Sequence, residues 1–104
     1  MYLATTVSEY VHLLDQAIDE FGDLSVCAEQ DLDDELADFV PQFDALRASL
    51  MKRRGELAAQ SEFVGRGRDL KIMSRVQRLR PIIPFYSLLA AINTIHRHGL
   101  DKPV

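Results

Sequence analysis

Three histidines, a single cysteine and a run of carboxylates are the side chains of this sequence with the types that perform chemistry. His96 and His98 flank Arg97. On a helix, residues two apart point about 200° from each other, so the pair does not share one metal ion. Both suit the negative end of a helix dipole instead. His12 has no ligand pattern around it. Cys27 is the sole cysteine and no nucleophile motif surrounds it, so a buried, inert thiol is expected. The stretch "DLDDELADFVPQ" places Asp31, Asp33 and Glu35 at the first, third and fifth positions of a calcium loop. The match ends there, because Leu36 stands where the sharp turn needs glycine and Gln42 where the final ligand should be glutamate. "GRGRDL" lacks the third glycine or the Gly-Lys-Ser/Thr of a phosphate-cradling loop. The expectation is therefore no catalytic residue, no metal and no cofactor.

What remains is charge, and it is sorted along the chain. The 104 residues carry a formal charge of −4. Residues 1–46 hold no Lys or Arg and reach −12, whereas residues 47–104 hold all twelve basic residues and reach +8. Such asymmetry between halves points to a charged partner or to pairing of one half with the other. The densest basic stretch is "GRGRDLKIMSRVQRLR", residues 65–80, with six cations and one acid. At 100° per residue, Arg68, Lys71, Arg75 and Arg78 share an arc of about 80°, beside an apolar arc of Ile72, Met73, Val76 and Leu79. A helix there would have one dry side and one cationic ridge. The ridge suits a phosphate backbone or an acidic protein surface, or it is a solvated face. No aromatic side chain lies between Gly65 and Arg80 to stack a base, which weighs against nucleic acid. The mirror surface is acidic: Asp31, Asp33, Asp34, Glu35 and Asp38 form a carboxylate array that either imitates a nucleic-acid backbone or serves solubility.

Helices position these groups. Thr6 to Phe21 has Val7, Tyr10, Val11, Leu14, Ala17, Ile18 and Phe21 at three-and-four spacing, with Thr6 and Glu9 as a capping box and Gly22 as the C-terminal cap. "DLSVCAEQ" lacks an evident helical period and reads as a short strand or extended connection. Asp31 opens a second helix that ends or kinks at Pro41, and a third runs from Pro41 to about Gln60, with Gly55 as a candidate break. A fourth covers Arg68 to Arg80, and a fifth, after Pro81 and Pro84, closes at Gly99 ahead of a loose tail over residues 100–104.

The expected fold is all-α, a compact bundle of about five short helices in a single domain spanning residues 1–104. No apolar run reaches the ~20 residues of a membrane span, and the first ten residues lack the pattern of a secretory signal. A cytoplasmic protein follows, in keeping with one unpaired cysteine. "PIIPFYSLL" is too densely apolar for one face of a small surface helix. Ile82, Ile83, Phe85 and Tyr86 accordingly either pack into the core or form an apolar anchor on a partner, with Arg68, Lys71, Arg75 and Arg78 steering the encounter. The functional expectation is a non-catalytic regulator, adaptor or inhibitor, of the size and acidity of a phage accessory protein, that occupies another protein's surface. Direct nucleic-acid binding, self-association as a homodimer and a structural role in an assembly are the alternatives.

Overall fold

The computed structural model describes residues 4–30, 36–60 and 63–100. It is all-α: helix α1 spans Val7–Glu29, α2 Val40–Ala58, α3 Met73–Arg78 and α4 Tyr86–His98, with short 3₁₀ turns at Ala37–Phe39 and Arg80–Ile82. None of these helices is long and apolar enough to cross a membrane.

The start of α1 is as its residues dictate. Thr6 is extended and its hydroxyl accepts from the Glu9 amide at 3.1 Å. The Glu9 carboxylate reaches back one residue further than a capping box requires, accepting from the Thr5 hydroxyl at 2.6 Å, which holds its pKa below the ordinary value.

Gly22 does not end this helix, and the stretch after it is neither strand nor connection. The helix continues for two more turns because α2 packs against it there. Arg47 lies so close that a β-carbon on Gly22 would meet its Nε at 3.4 Å, and that Nε donates to the Ile18 carbonyl. Ser25 is buried and donates to Asp44 at 2.9 Å, and Ala28 is fully buried. Phe21, Ser25 and Ala28 thus extend the apolar stripe at helical spacing, on small residues that carry little hydrophobic signal.

Pro41 marks the start of the next helix, as expected. It lies in the first turn of α2, where its missing amide hydrogen costs nothing and its fixed φ favours helix. From there α2 runs unbroken past Gly55. The pairs Asp15–Arg54, Ile18–Arg47 and Ser25–Asp44 show that α1 and α2 are antiparallel, forming a hairpin. Residues 31–35, where the second helix was expected to open, lie outside the described residues.

The third and fourth helices close this hairpin. Phe21 and Phe85 meet edge to face with centroids 4.7 Å apart, and Phe43, Leu46, Val76, Leu88, Leu89 and Ile92 complete the dry interior. Buried side chains form one cluster. Gly99 ends α4 with a φ of +89°, a conformation that glycine adopts without strain. Leu100 packs against the core, and the rest of the tail lies outside the described residues.

Two expectations about surface chemistry are overturned by the packing. Ile83 and Phe85 are 3% and 7% exposed, so most of the proline-bracketed apolar patch is core rather than anchor. Ile82 and Tyr86 are half-buried, and the Tyr86 ring lies under the Arg80 guanidinium at 4.5 Å. Cys27 is exposed rather than buried, because Ser25 and Ala28 are the inward positions of that turn.

Candidate functional site

The fourth predicted helix is shorter than its sequence suggests, and the reason shapes the site. Backbone amides of Arg66 and Gly67 donate to the carbonyls of His96 and Arg97 at 2.7 and 2.9 Å. The Leu70 amide donates to Asn93 Oδ1 at 2.8 Å, while Asn93 Nδ2 and Arg97 both hold the Asp69 carboxylate. Segment 65–70 is therefore lashed along the end of α4, and a helix begins only at Met73. Arg75 and Arg78 ride on α3, whereas Arg68 and Lys71 project from the segment before it. Ile72, Met73, Val76 and Leu79 are buried as expected.

Gly65 is the hinge pin of this arrangement. A β-carbon there would lie 2.5 Å from backbone atoms of Arg97, His98 and Gly99. Gly65→Ala is expected to lift the segment off α4 and cost about 1–3 kcal/mol, lowering the thermal midpoint by several degrees. An unchanged midpoint in a calorimetric scan would contradict this packing.

All four ridge cations are exposed, and none forms an ion pair with a described carboxylate. The charge that the chain spends on itself comes from elsewhere. Arg54 pairs with Asp15 at 2.7 Å, Arg53 with Glu56 at 3.4 Å and Arg97 with Asp69 at 3.4 Å. Exposed pairs of this kind contribute roughly 0–1 kcal/mol each.

The ridge residues line two clefts. Arg68 and Lys71 stand opposite Ser49, Lys52, Arg53 and Glu56 of α2, around a cleft of about 440 Å³ that His96 and Arg66 also border. Arg75 and Arg78 stand opposite Pro41, Gln42 and Ala45, around a cleft of about 370 Å³. Gln42, Ala45, Ser49, Arg53 and Glu56 recur every three or four residues, so both clefts open along one side of α2 and extend about 20 Å. That side lies roughly 130° around the helix from Phe43, Arg47, Leu50 and Arg54, which face α1. No α1 carboxylate lines either cleft; Glu56 and Asp69, both already paired, are the acids in the walls.

The larger cleft has an aromatic back. Guanidinium carbons of Arg53 and Arg66 lie 5.2 and 5.7 Å from the centroid of buried Phe63. Tyr10 and His96 flank the same ring. Tyr10 Oη, Arg53 Nε and Nη2, and His96 Nδ1 are buried beside it. Burial pushes the Tyr10 phenol above its ordinary pKa, against Arg53, which draws it down through a hydrogen bond and then through its charge. Burial, then the charges of Arg53, Arg66 and Arg68, push the His96 imidazole below its ordinary 6.5. A histidine that resists protonation in the fold but accepts a proton when unfolded favours unfolding in acid. Its contribution to stability is complete above pH 6.5 and is lost as pH falls from there towards the His96 midpoint. Proton NMR of the imidazole is expected to show that midpoint below 6.5, and a midpoint at or above 6.5 would contradict it.

Of the sequence-predicted residues, the fold brings Arg68 and Lys71 to one cleft and Arg75 and Arg78 to its neighbour. Asp38 is exposed, and Asp31, Asp33, Asp34 and Glu35 lie outside the described residues. Lys52, Arg53 and Arg66 were not anticipated. The first two belong to the run "KRR" of α2, a visible signal whose direction depends on how α2 packs. No group of three metal-ligating side chains occurs among the described residues. No protein-family model, curated protein or solved structure matches this chain.

Proposed function

We propose that this chain works in the cytoplasm by binding, with no chemistry of its own, and that it grips a polyanionic strand along the side of α2 that faces residues 66–79. The observation that carries this reading is the set of exposed cations Arg68, Lys71, Arg75 and Arg78, none paired with a described carboxylate, aligned in two adjoining clefts. Phosphate contacts need cations and little else, whereas a stable protein interface needs a desolvated apolar or aromatic centre. Burial of Ile83 and Phe85 removes that centre, so a phosphate backbone is favoured over a protein surface. Clefts of a few hundred cubic ångströms admit an extended single strand. With Phe63 turned inward, base stacking contributes nothing and binding is indifferent to sequence.

A regulator, adaptor or inhibitor seated on another protein is the second reading. Exposed Asp19, Glu20 and Asp23 on the outer side of α1 favour it, as carboxylates that a basic partner would meet. Fluorescence anisotropy with short single-stranded homopolymers at low salt separates the two. Binding of oligo-dT and oligo-dA with similar affinity supports the strand reading. If neither binds at tens of micromolar protein, it falls in favour of a protein partner.

A further inference from the structure

The two clefts are not equivalent. The outer one presents two arginines on an otherwise neutral wall. The inner one concentrates Lys52, Arg53, Arg66, Arg68 and Lys71 against two carboxylates. Those two are already occupied, Glu56 by Arg53 and Asp69 by Arg97 and Asn93. Lys52, Arg66, Arg68 and Lys71 form no ion pair with a described carboxylate. The same cleft is bordered by His96 and Arg53. A concave site with this surplus of positive charge calls for a ligand with more than one negative charge and several acceptor oxygens close together. A bridging phosphodiester offers one charge and two free oxygens. A phosphate monoester offers up to two charges and three oxygens, which arginine forks match in shape.

We infer that the inner cleft is a binding site for a phosphate monoester dianion, held by Arg66, Arg68 and Lys71 against the α2 wall at Lys52 and Arg53. The inference rests on the strand reading only in taking this side of α2 as the working surface. It adds a polarity to it. The inner cleft takes a terminal phosphate, and the outer cleft carries the diesters that follow. The same site would accept a free phosphorylated small molecule of nucleotide size, given its volume of about 440 Å³.

The test is an NMR titration of the full chain with inorganic phosphate at about pH 7.5, where the dianion predominates. Sodium chloride at matched ionic strength is the reference. Saturable shifts are expected in residues 66–72 and in the His96 ring, absent with chloride. Arg68→Gln with Lys71→Gln should weaken phosphate binding roughly tenfold or more, while Arg75→Gln with Arg78→Gln should change it less than about twofold. Each variant is checked for an unchanged helical spectrum. Shifts that do not saturate, that chloride reproduces, or that the outer pair weakens equally would overturn the inference.

Three further ligands identify the source of the phosphate. Tighter binding of a 5′-phosphorylated oligonucleotide than of its 5′-hydroxyl form assigns the site to a strand end. A nucleoside monophosphate that binds as tightly as the phosphorylated strand assigns it to a small molecule. If oligonucleotides bind but inorganic phosphate does not saturate, the strand reading stands and this site falls. If phosphate saturates the inner cleft while no oligonucleotide binds, the site stands and the strand reading falls.

Discussion

Reversing Arg68, Lys71, Arg75 and Arg78 to Glu is expected to reduce affinity for a single-stranded oligonucleotide by roughly a hundredfold or more, with the fold retained. The four substitutions replace attraction by repulsion at both clefts, a change of eight charges along about 20 Å of surface. The fold is spared because none of the four side chains is buried or paired with a described carboxylate. Surface substitutions of this kind alter stability by a few tenths of a kcal/mol each. Anisotropy titration and a thermal melt on the same sample give both halves of the result. Wild-type affinity in a folded variant would show that the polyanion sits elsewhere. A collapse of the melting transition would show that the ridge supports the fold.

The second large effect concerns Phe85, a residue whose sequence context suggests a surface anchor and whose packing makes it core. Phe85→Ala removes a buried ring that meets Phe21 edge to face at 4.7 Å, and the expected cost is about 3–5 kcal/mol. Against the ~5–15 kcal/mol of a typical domain this is a large share, so the thermal midpoint should fall by more than about 10 °C. A double-mutant cycle with Phe21→Ala should return a coupling of about 0.5–1.5 kcal/mol. Were Phe85 an exposed anchor, its truncation would leave the melt nearly unchanged and weaken partner binding instead. Urea denaturation distinguishes these outcomes without knowledge of the partner.

Phe85 also illustrates where sequence reasoning stops. Periodicity reports that a residue is apolar and on a given face, but not whether that face meets the rest of the chain or a second molecule. The dense stretch around Pro81 and Pro84 fits both, and only the closure of α4 on the hairpin decides it. By contrast, the start of α1 at Thr6 and the stop of α4 at Gly99 are local events, governed by a cap hydroxyl and a positive φ, and were legible directly. Gly22 is misleading because its usual local role gives way to a tertiary contact. Arg47 packs against the glycine.

The site was legible in part for the same reason. The four cations were singled out on a helical wheel, yet Arg68 and Lys71 stand on no helix. Hydrogen bonds from Arg66, Gly67 and Leu70 tie this segment to α4, and no local pattern announces them. Lys52 and Arg53 face the same cleft because of the angle to which α2 is rotated about its own axis. That angle follows from Phe43, Leu46 and Leu50 packing inward, not from the basic residues themselves.

The central claim is that the exposed cations beside α2, unpaired with any described carboxylate, are used on a chain of phosphates. Its most direct measurement is the salt dependence of oligonucleotide affinity. With four phosphates neutralised, the logarithm of the binding constant should fall against the logarithm of salt concentration with a slope of about −3. Neutralising Arg68, Lys71, Arg75 and Arg78 to Gln should flatten that slope towards zero. A native slope near zero, or one that persists unchanged in the fourfold variant, would contradict the account.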